Sequence, residues 1–400
     1  MLTKCVEIDI SIPIQPIYVD NRYQHLFALI CWQSRPLGVL VLPCHPELRT
    51  FSAEQLKQAI LKQFGWGIWE EAVSGTLERP ELPYSRPLPS ISVVVCTRDR
   101  ARSLQKTLQS LAKLDYAEYE VVVVDNCSRD DSTARAVAES GFRYVREMRP
   151  GLDWARNRGV LEARYDIIAF IDDDALATRG WLRGIAYGFR DPTVMVVTGA
   201  VLAAEIETAA QHDFERYGGM SKGFVPYTIR RQELRSRDLF WASNWGVGAN
   251  MALRRTVFNA INGFDVALDV GTATCGGGDI EFFYRAVAGG YALQYEPTAV
   301  VWHTHRRDQA SFRRQIYNNG RSFASYLMTI SRNEPQRRRA VLWFGTRWWL
   351  WNWLIVRIFV SFGKRDWWTL RLALTEFRGA CSAPKAYQAA QLIAAQQMRA

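Results

Sequence analysis

Three runs of this 400-residue chain are apolar without polar alternation. They cover residues 91–96, 120–125 and 167–172, each with four or more of Ile, Val, Ala, Phe or Cys in succession. A strand that reads this way is buried on both faces, which requires covering layers above and below it. The segments between the runs have helical spacing at 104–114, 132–140 and 152–163, and shorter strands are expected at 142–145 and 194–201. Strands alternating with helices in this way predict an α/β protein with a doubly wound, mostly parallel sheet.

Such sheets bind ligands at the carboxyl ends of their strands. Here those ends read Cys96-Thr97-Arg98-Asp99-Arg100, Asp125-Asn126-Cys127-Ser128 and Asp172-Asp173-Asp174. All three are polar and lie on one edge. Three adjacent carboxylates need a cation. In an extended chain Asp172 and Asp174 face one way and Asp173 the other, so Asp172 and Asp174 form a candidate hard-metal site for Mg²⁺ or Mn²⁺ shared with substrate phosphates. Asp173 is then the member expected to tolerate change best. The alternative is that the acids cap a helix starting near Thr178. A carboxylate at Asp125 would accept from a base N–H or a ribose hydroxyl, and Thr97 with nearby amides would close around a flat ring. No Gly-rich phosphate loop follows the first strand, so neither a P-loop nor a dinucleotide fingerprint is present.

The ordered series Ser92-Val-Val-Val-Cys-Thr-Arg-Asp-Arg100, Val121-Val-Val-Val-Asp-Asn-Cys-Ser-Arg-Asp-Asp-Ser132, Arg149-Pro-Gly-Leu-Asp-Trp-Ala-Arg-Asn-Arg-Gly159 and Phe170-Ile-Asp-Asp-Asp174 resembles the nucleotide-binding half of glycosyltransferase family 2, with the A-type glycosyltransferase fold. The resemblance implies an inverting, metal-dependent transferase of a nucleoside-diphosphate sugar, with uridine as the family's commonest nucleoside. It implies that Asp125 contacts the nucleobase, that Asp172 lies near the ribose, and that Asp174, closing the Asp-x-Asp motif, binds Mn²⁺ or Mg²⁺. Thr97, Arg98 and Arg156 would line the donor pocket.

The second half extends the resemblance. Gly246-Val-Gly-Ala-Asn-Met-Ala-Leu-Arg254 is similar to the strand that borders the donor sugar, which makes Gly248 and Asn250 donor-side candidates. In Gly276-Gly-Gly-Asp-Ile-Glu-Phe-Phe-Tyr-Arg285 the apolar spacing is helical from Asp279. Asp279 is either a helix cap or, as the resemblance implies, the general base that takes the acceptor's proton. The family carries Glu-Asp at this point and this chain has Gly278 instead of the Glu. His303, after the apolar run at 299–302, is implied to complete the metal or diphosphate site, with His305 as the alternative.

Composition places the rest. Forty-eight per cent hydrophobic residues over this length suit two or three domains: an accessory unit at 1–88 ending in a proline-rich linker, a catalytic unit at 89–305 (donor half 89–200, acceptor half 201–305), and a helical region at 306–400. Seven scattered cysteines without a CxxC pair, and no secretory signal, fit a reducing cytosol. The net charge of +10 is C-terminal: residues 306–378 hold fifteen Lys and Arg against four Asp and Glu, with seven of the fifteen tryptophans. The carboxylate cluster argues against nucleic acid as the partner of this basic tail. Residues 341–363 have the length of a membrane span, but Arg347 and Arg357 interrupt it, so an in-plane helix on the inner face of the cell membrane is expected, the alternative being packing on the protein's own core. The acceptor expected beside such a surface is a glycan or lipid-linked saccharide. The rival to an enzyme is a noncatalytic nucleotide-sugar-binding partner protein.

Overall fold

The computed structural model describes residues 2–33, 35–44, 49–77 and 88–399. Of the linker expected around Pro80, Pro83, Pro87 and Pro89, the first three prolines lie outside the described residues, and the Pro89 carbonyl accepts from the Tyr116 hydroxyl at 2.5 Å. The chain opens with β1 (Thr3–Asp9), β2 (Ile17–Tyr18), β3 (His25–Trp32), β4 (Arg35–Pro43), β5 (Thr50–Phe51) and α1 (Ala53–Leu77). Strand β3 lies between parallel β1 and antiparallel β4. Side chains alternate across β3 as strand geometry demands. Leu26, Ala28 and Ile30 pack with Leu40, Leu56 and Ile60, while Leu29 and Cys31 pack on Ala200, Leu202, Tyr295 and Val300 of the central sheet. The N-terminal segment therefore shares a core with the rest of the molecule.

The central sheet follows the expected alternation. It contains β6 (Ile91–Thr97), α2 (Ala101–Leu111), β7 (Tyr119–Asn126), α3 (Ser132–Ser140), β8 (Arg143–Glu147), α4 (Leu152–Glu162), β9 (Ile167–Asp172), β10 (Ala175–Ala177), α5 (Trp181–Gly188) and β11 (Val194–Ala203). After α6 (Ala209–Tyr217) and β12 (Tyr227–Ile229) come β13 (Asn250–Arg254), α7 (Arg255–Ala260), α8 (Gly278–Ala288) and β14 (Ala292–His303). The strand order is β10-β14-β11-β13-β9-β6-β7-β8, with β12 paired to β14. Strands β8, β7, β6, β9, β11 and β14 run one way; β13, inserted between β9 and β11, runs against them, as do β10 and β12.

The apolar runs divide by pleat as double burial requires. Val94, Val122, Val124 and Phe170 join one core, and Val93, Val95, Val121, Val123 and Ile171 join the other. Register then aligns the polar ends: Thr97 pairs with Asp125, and Cys96 with Asp172.

The C-terminal region is helical: α9 (Gln309–Asn333), α10 (Arg338–Trp343), a π-type helix at Phe344–Ile355, α11 (Val356–Gly363) and α12 (Trp367–Arg399). Helices α9 and α12 cross with their backbones in contact. A Cβ on Gly320 would fall 2.0 Å from the Glu376 carbonyl oxygen, and one on Gly379 would fall 1.9 Å from that of Tyr317. No other residue fits such a crossing. The end of α12 reaches α4, where Trp154 Nε1 donates to Gln397 Oε1 at 2.8 Å.

Candidate active site

The carboxylate cluster sits in the tight turn between β9 and β10. It does not cap a helix: α5 begins at Trp181, its N-cap is Gly180, and no side chain caps it. Asp172, Asp174 and His303 bring one ligand atom each to within 4.8 Å of one another. His303 reaches them because β10 pairs antiparallel with the end of β14, setting Ala175 opposite His303. Its Nε2 lies 3.1 Å from Asp174 Oδ1 and 3.9 Å from Asp172 Oδ2. His303 and Arg100 hold the Asp174 carboxyl far below the usual carboxylate range against its burial. Asp172 is raised, by loss of hydration and by Asp174 beside it. Two carboxylates and an imidazole are hard or borderline donors suited to Mg²⁺ or Mn²⁺, so the set fits the divalent ion expected from the sequence.

Asp173 corrects the expectation that it would be the most dispensable of the three. It is buried; its Oδ2 accepts from the Thr97 hydroxyl and its Oδ1 from Arg100 Nη1, both at 2.6 Å. Burial pushes its carboxyl up to about 7, against the pull of Arg100. Arg100 also donates to Asp174 Oδ2 at 2.6 Å, clamping the turn. The Thr97 hydroxyl thus anchors the carboxylate turn. The role of Arg100 was not read from the sequence, although it stands in the same strand-end motif.

Asp125, the penultimate residue of β7, is fully buried. Its Oδ1 accepts from the Ser128 amide at 3.1 Å and its Oδ2 from the Tyr144 hydroxyl at 2.7 Å. A base reaches it only by moving Tyr144 or the Ser128 turn. Arg98 is exposed on the loop after β6.

Asn250 is a second correction. It is turned into the sheet, accepting from Trp181 Nε1 at 2.9 Å and donating to the carbonyls of Ala200 and Ala299 at 2.9 and 2.7 Å. With no exposed surface and both amide protons used, it ties β13 to β11 and β14 instead of meeting a sugar.

Asp279 is half-buried at the second residue of α8, whose N-cap is Gly277, so it is not the cap. Its Oδ1 accepts from the Ile280 amide at 2.9 Å and its Oδ2 from the Gly248 amide at 2.7 Å. A Cβ on Gly248 would fall 2.5 Å from Arg156 Nη2 and 2.9 Å from Asp279 Oδ2. The small residue is therefore needed for the approach of these two groups. Arg156 is buried and donates from Nη1 to Asp153 Oδ1 at 2.9 Å. The negative charges of Asp153, Asp279 and Asp172 raise its pKa against the effect of burial. Burial pushes Asp153 itself up to about 7 despite Arg156.

Residues 92–261 match the family model described as glycosyl transferase family 2. The chain is 25% identical over 239 residues to a pre-mycofactocin glycosyltransferase of Mycobacterium tuberculosis, covering 58% of this chain and 47% of that protein. It is 24% identical over 227 residues to the glycosyltransferase AglE of Haloferax volcanii, covering 55% and 68%. Among solved structures, the mannosyltransferase PcManGT from Pyrobaculum calidifontis, in complex with GDP-Man and Mn²⁺, aligns with a TM-score of 0.47 at 19% identity over 84% of this chain and 89% of that one. The match spans about half the length of the mycobacterial relative.

Proposed function

Residues 92–261 belong to glycosyltransferase family 2, and on that premise we propose that this chain transfers a sugar from a nucleoside-diphosphate donor to a hydroxyl of a glycan or lipid-linked acceptor, with inversion at the anomeric carbon. The observation that carries the reading is the convergence of Asp172, Asp174 and His303 at one point, together with the close approach of Arg156 and Asp279 to Gly248. In this reading Asp172, Asp174 and His303 hold Mn²⁺ or Mg²⁺, which supplies charge neutralisation for the departing diphosphate. Asp125 takes the base and Arg98 flanks the nucleotide. Arg156 adds a fixed positive charge where negative charge develops. Asp279, held by two amides and within reach of solvent, removes the acceptor proton. Donor and acceptor halves meet near residue 200, within a catalytic unit of 89–305.

A uridine donor agrees with the family's commonest use. The acceptor follows from the tail. Trp343, Trp351, Trp353, Phe359, Phe362 and Trp367 are exposed on the C-terminal helices beside the basic excess, a combination suited to anionic headgroups on the inner face of a cell membrane. Among the described residues no helix is long and apolar enough to cross a membrane. Presenting a panel of nucleotide sugars with Mn²⁺, with Mg²⁺ and with chelator tests the reading: one donor should be hydrolysed or transferred only when metal is present. Metal-dependent binding without turnover of any donor would favour the noncatalytic partner instead.

A further inference from the structure

His303 offers Nε2 to the carboxylate side of the candidate metal site, and the other face of its ring is not free. Its Nδ1 lies 3.3 Å from Nδ1 of His305, and Nε2 of His305 lies 2.7 Å from Glu215 Oε1. His305 is buried, its ring packed on Phe214 with centroids 4.4 Å apart. Glu215 comes from α6, whose start is fixed by a reciprocal capping box between Thr208 and Gln211, and Gln211 also donates to the His305 carbonyl at 3.3 Å.

With both rings neutral, the chain of contacts sets where the protons sit. A carboxylate only accepts, so Nε2 of His305 carries a hydrogen. Neutral imidazole has one N–H, which leaves Nδ1 of His305 bare and accepting. Nδ1 of His303 must then carry its ring hydrogen, and Nε2 of His303 presents a lone pair toward Asp172 and Asp174. Asp174, 3.1 Å from that nitrogen, pulls the other way, because a carboxylate prefers to face an N–H. The two sides of the ring compete for its tautomer.

Resting on the metal reading of Asp172, Asp174 and His303, we infer that Glu215 and His305 are positioning residues that hold His303 in the tautomer able to ligate a divalent cation. They act through His303 and touch neither metal nor substrate. Outer partners of this kind commonly alter metal affinity by ~10–100-fold.

The test titrates Mn²⁺ into the metal-free 400-residue chain, with bound ion followed by electron paramagnetic resonance. Glu215→Leu and His305→Phe should each weaken binding by ~10–100-fold, while His305→Gln, which keeps an acceptor oxygen facing His303, should lose less. Melting in chelator identifies any variant that has simply lost its fold. A measurement on the unaltered chain guards against that outcome: with Mg²⁺ bound, histidine ¹⁵N shifts should show His303 and His305 protonated at Nδ1 and Nε2 respectively. Unchanged Mn²⁺ affinity in folded variants, or His305 protonated at Nδ1, would overturn the relay. Failure of the unaltered chain to bind Mn²⁺ would instead overturn the metal reading beneath it.

Discussion

A Cβ placed on Gly278 falls 1.7 Å from Asp153 Oδ2 and 2.8 Å from the Leu268 carbonyl oxygen. The space that a side chain at 278 would need is therefore held by a buried carboxylate from α4. Among the described residues that oxygen has no hydrogen-bond partner, and neither has Oδ1 of Asp269. Gly278→Ala should cost about 1–3 kcal/mol from overpacking. Because Asp153→Ala empties the same space, the double variant should cost about 0.5–3 kcal/mol less than the two single changes together. Chemical denaturation of the four proteins checks this, and additive costs would show that the two residues do not compete. Sequence spacing located Asp279 and noted the missing Glu, but it could not show that residue 153, over a hundred positions away, fills the gap. The same limit hid the inward turn of Asn250 and the reach of Glu215 to His305. Local pattern reports which face a residue is on, and only long-range packing reports what it meets. A clue to α6 did exist in the Thr-x-x-Gln pattern at Thr208 and Gln211.

At the scale of elements, the tryptophan-rich helices have two faces. Val341, Phe344, Trp349 and Leu354 are buried in the largest core, as the core-packing alternative for residues 341–363 expects, while Trp343, Trp351 and Phe359 of the same segment are exposed. Removing the segment would open that core, which makes truncation a poor test of membrane docking. Surface changes separate the roles. Replacing Trp343, Trp351 and Phe359, each more than half exposed, with Ser should leave the melting temperature nearly unchanged and strongly reduce co-sedimentation with vesicles containing anionic lipid. Equal pelleting of the variant and the parent chain would remove this face from any membrane role. Hydropathy and charge argued against a span, and among the described residues no helix is long and apolar enough to cross a membrane. The division of the helix into buried and exposed faces was not legible in the sequence, because the partners of the buried face, such as Phe240, Trp241 and Phe323, come from distant parts of the chain.

Across the whole molecule, the parallel core of the sheet followed from its apolar runs, and register then brought Thr97, Asp125 and Asp172 to one edge. The antiparallel insertion of β13 was not visible in advance, since a short apolar strand carries no mark of its direction. That insertion matters for function: it places Gly248 just before β13, where its amide holds Asp279 at the same edge as the metal turn. The account thus makes one carboxylate, set by two amides beside Arg156, responsible for proton removal. Its most direct test is transfer by Asp279→Asn, measured with the donor that the unaltered chain uses and alongside donor binding. The expected result is a fall in turnover of about 10²–10⁴-fold with donor binding retained. Turnover within a few-fold of the parent would contradict the central claim.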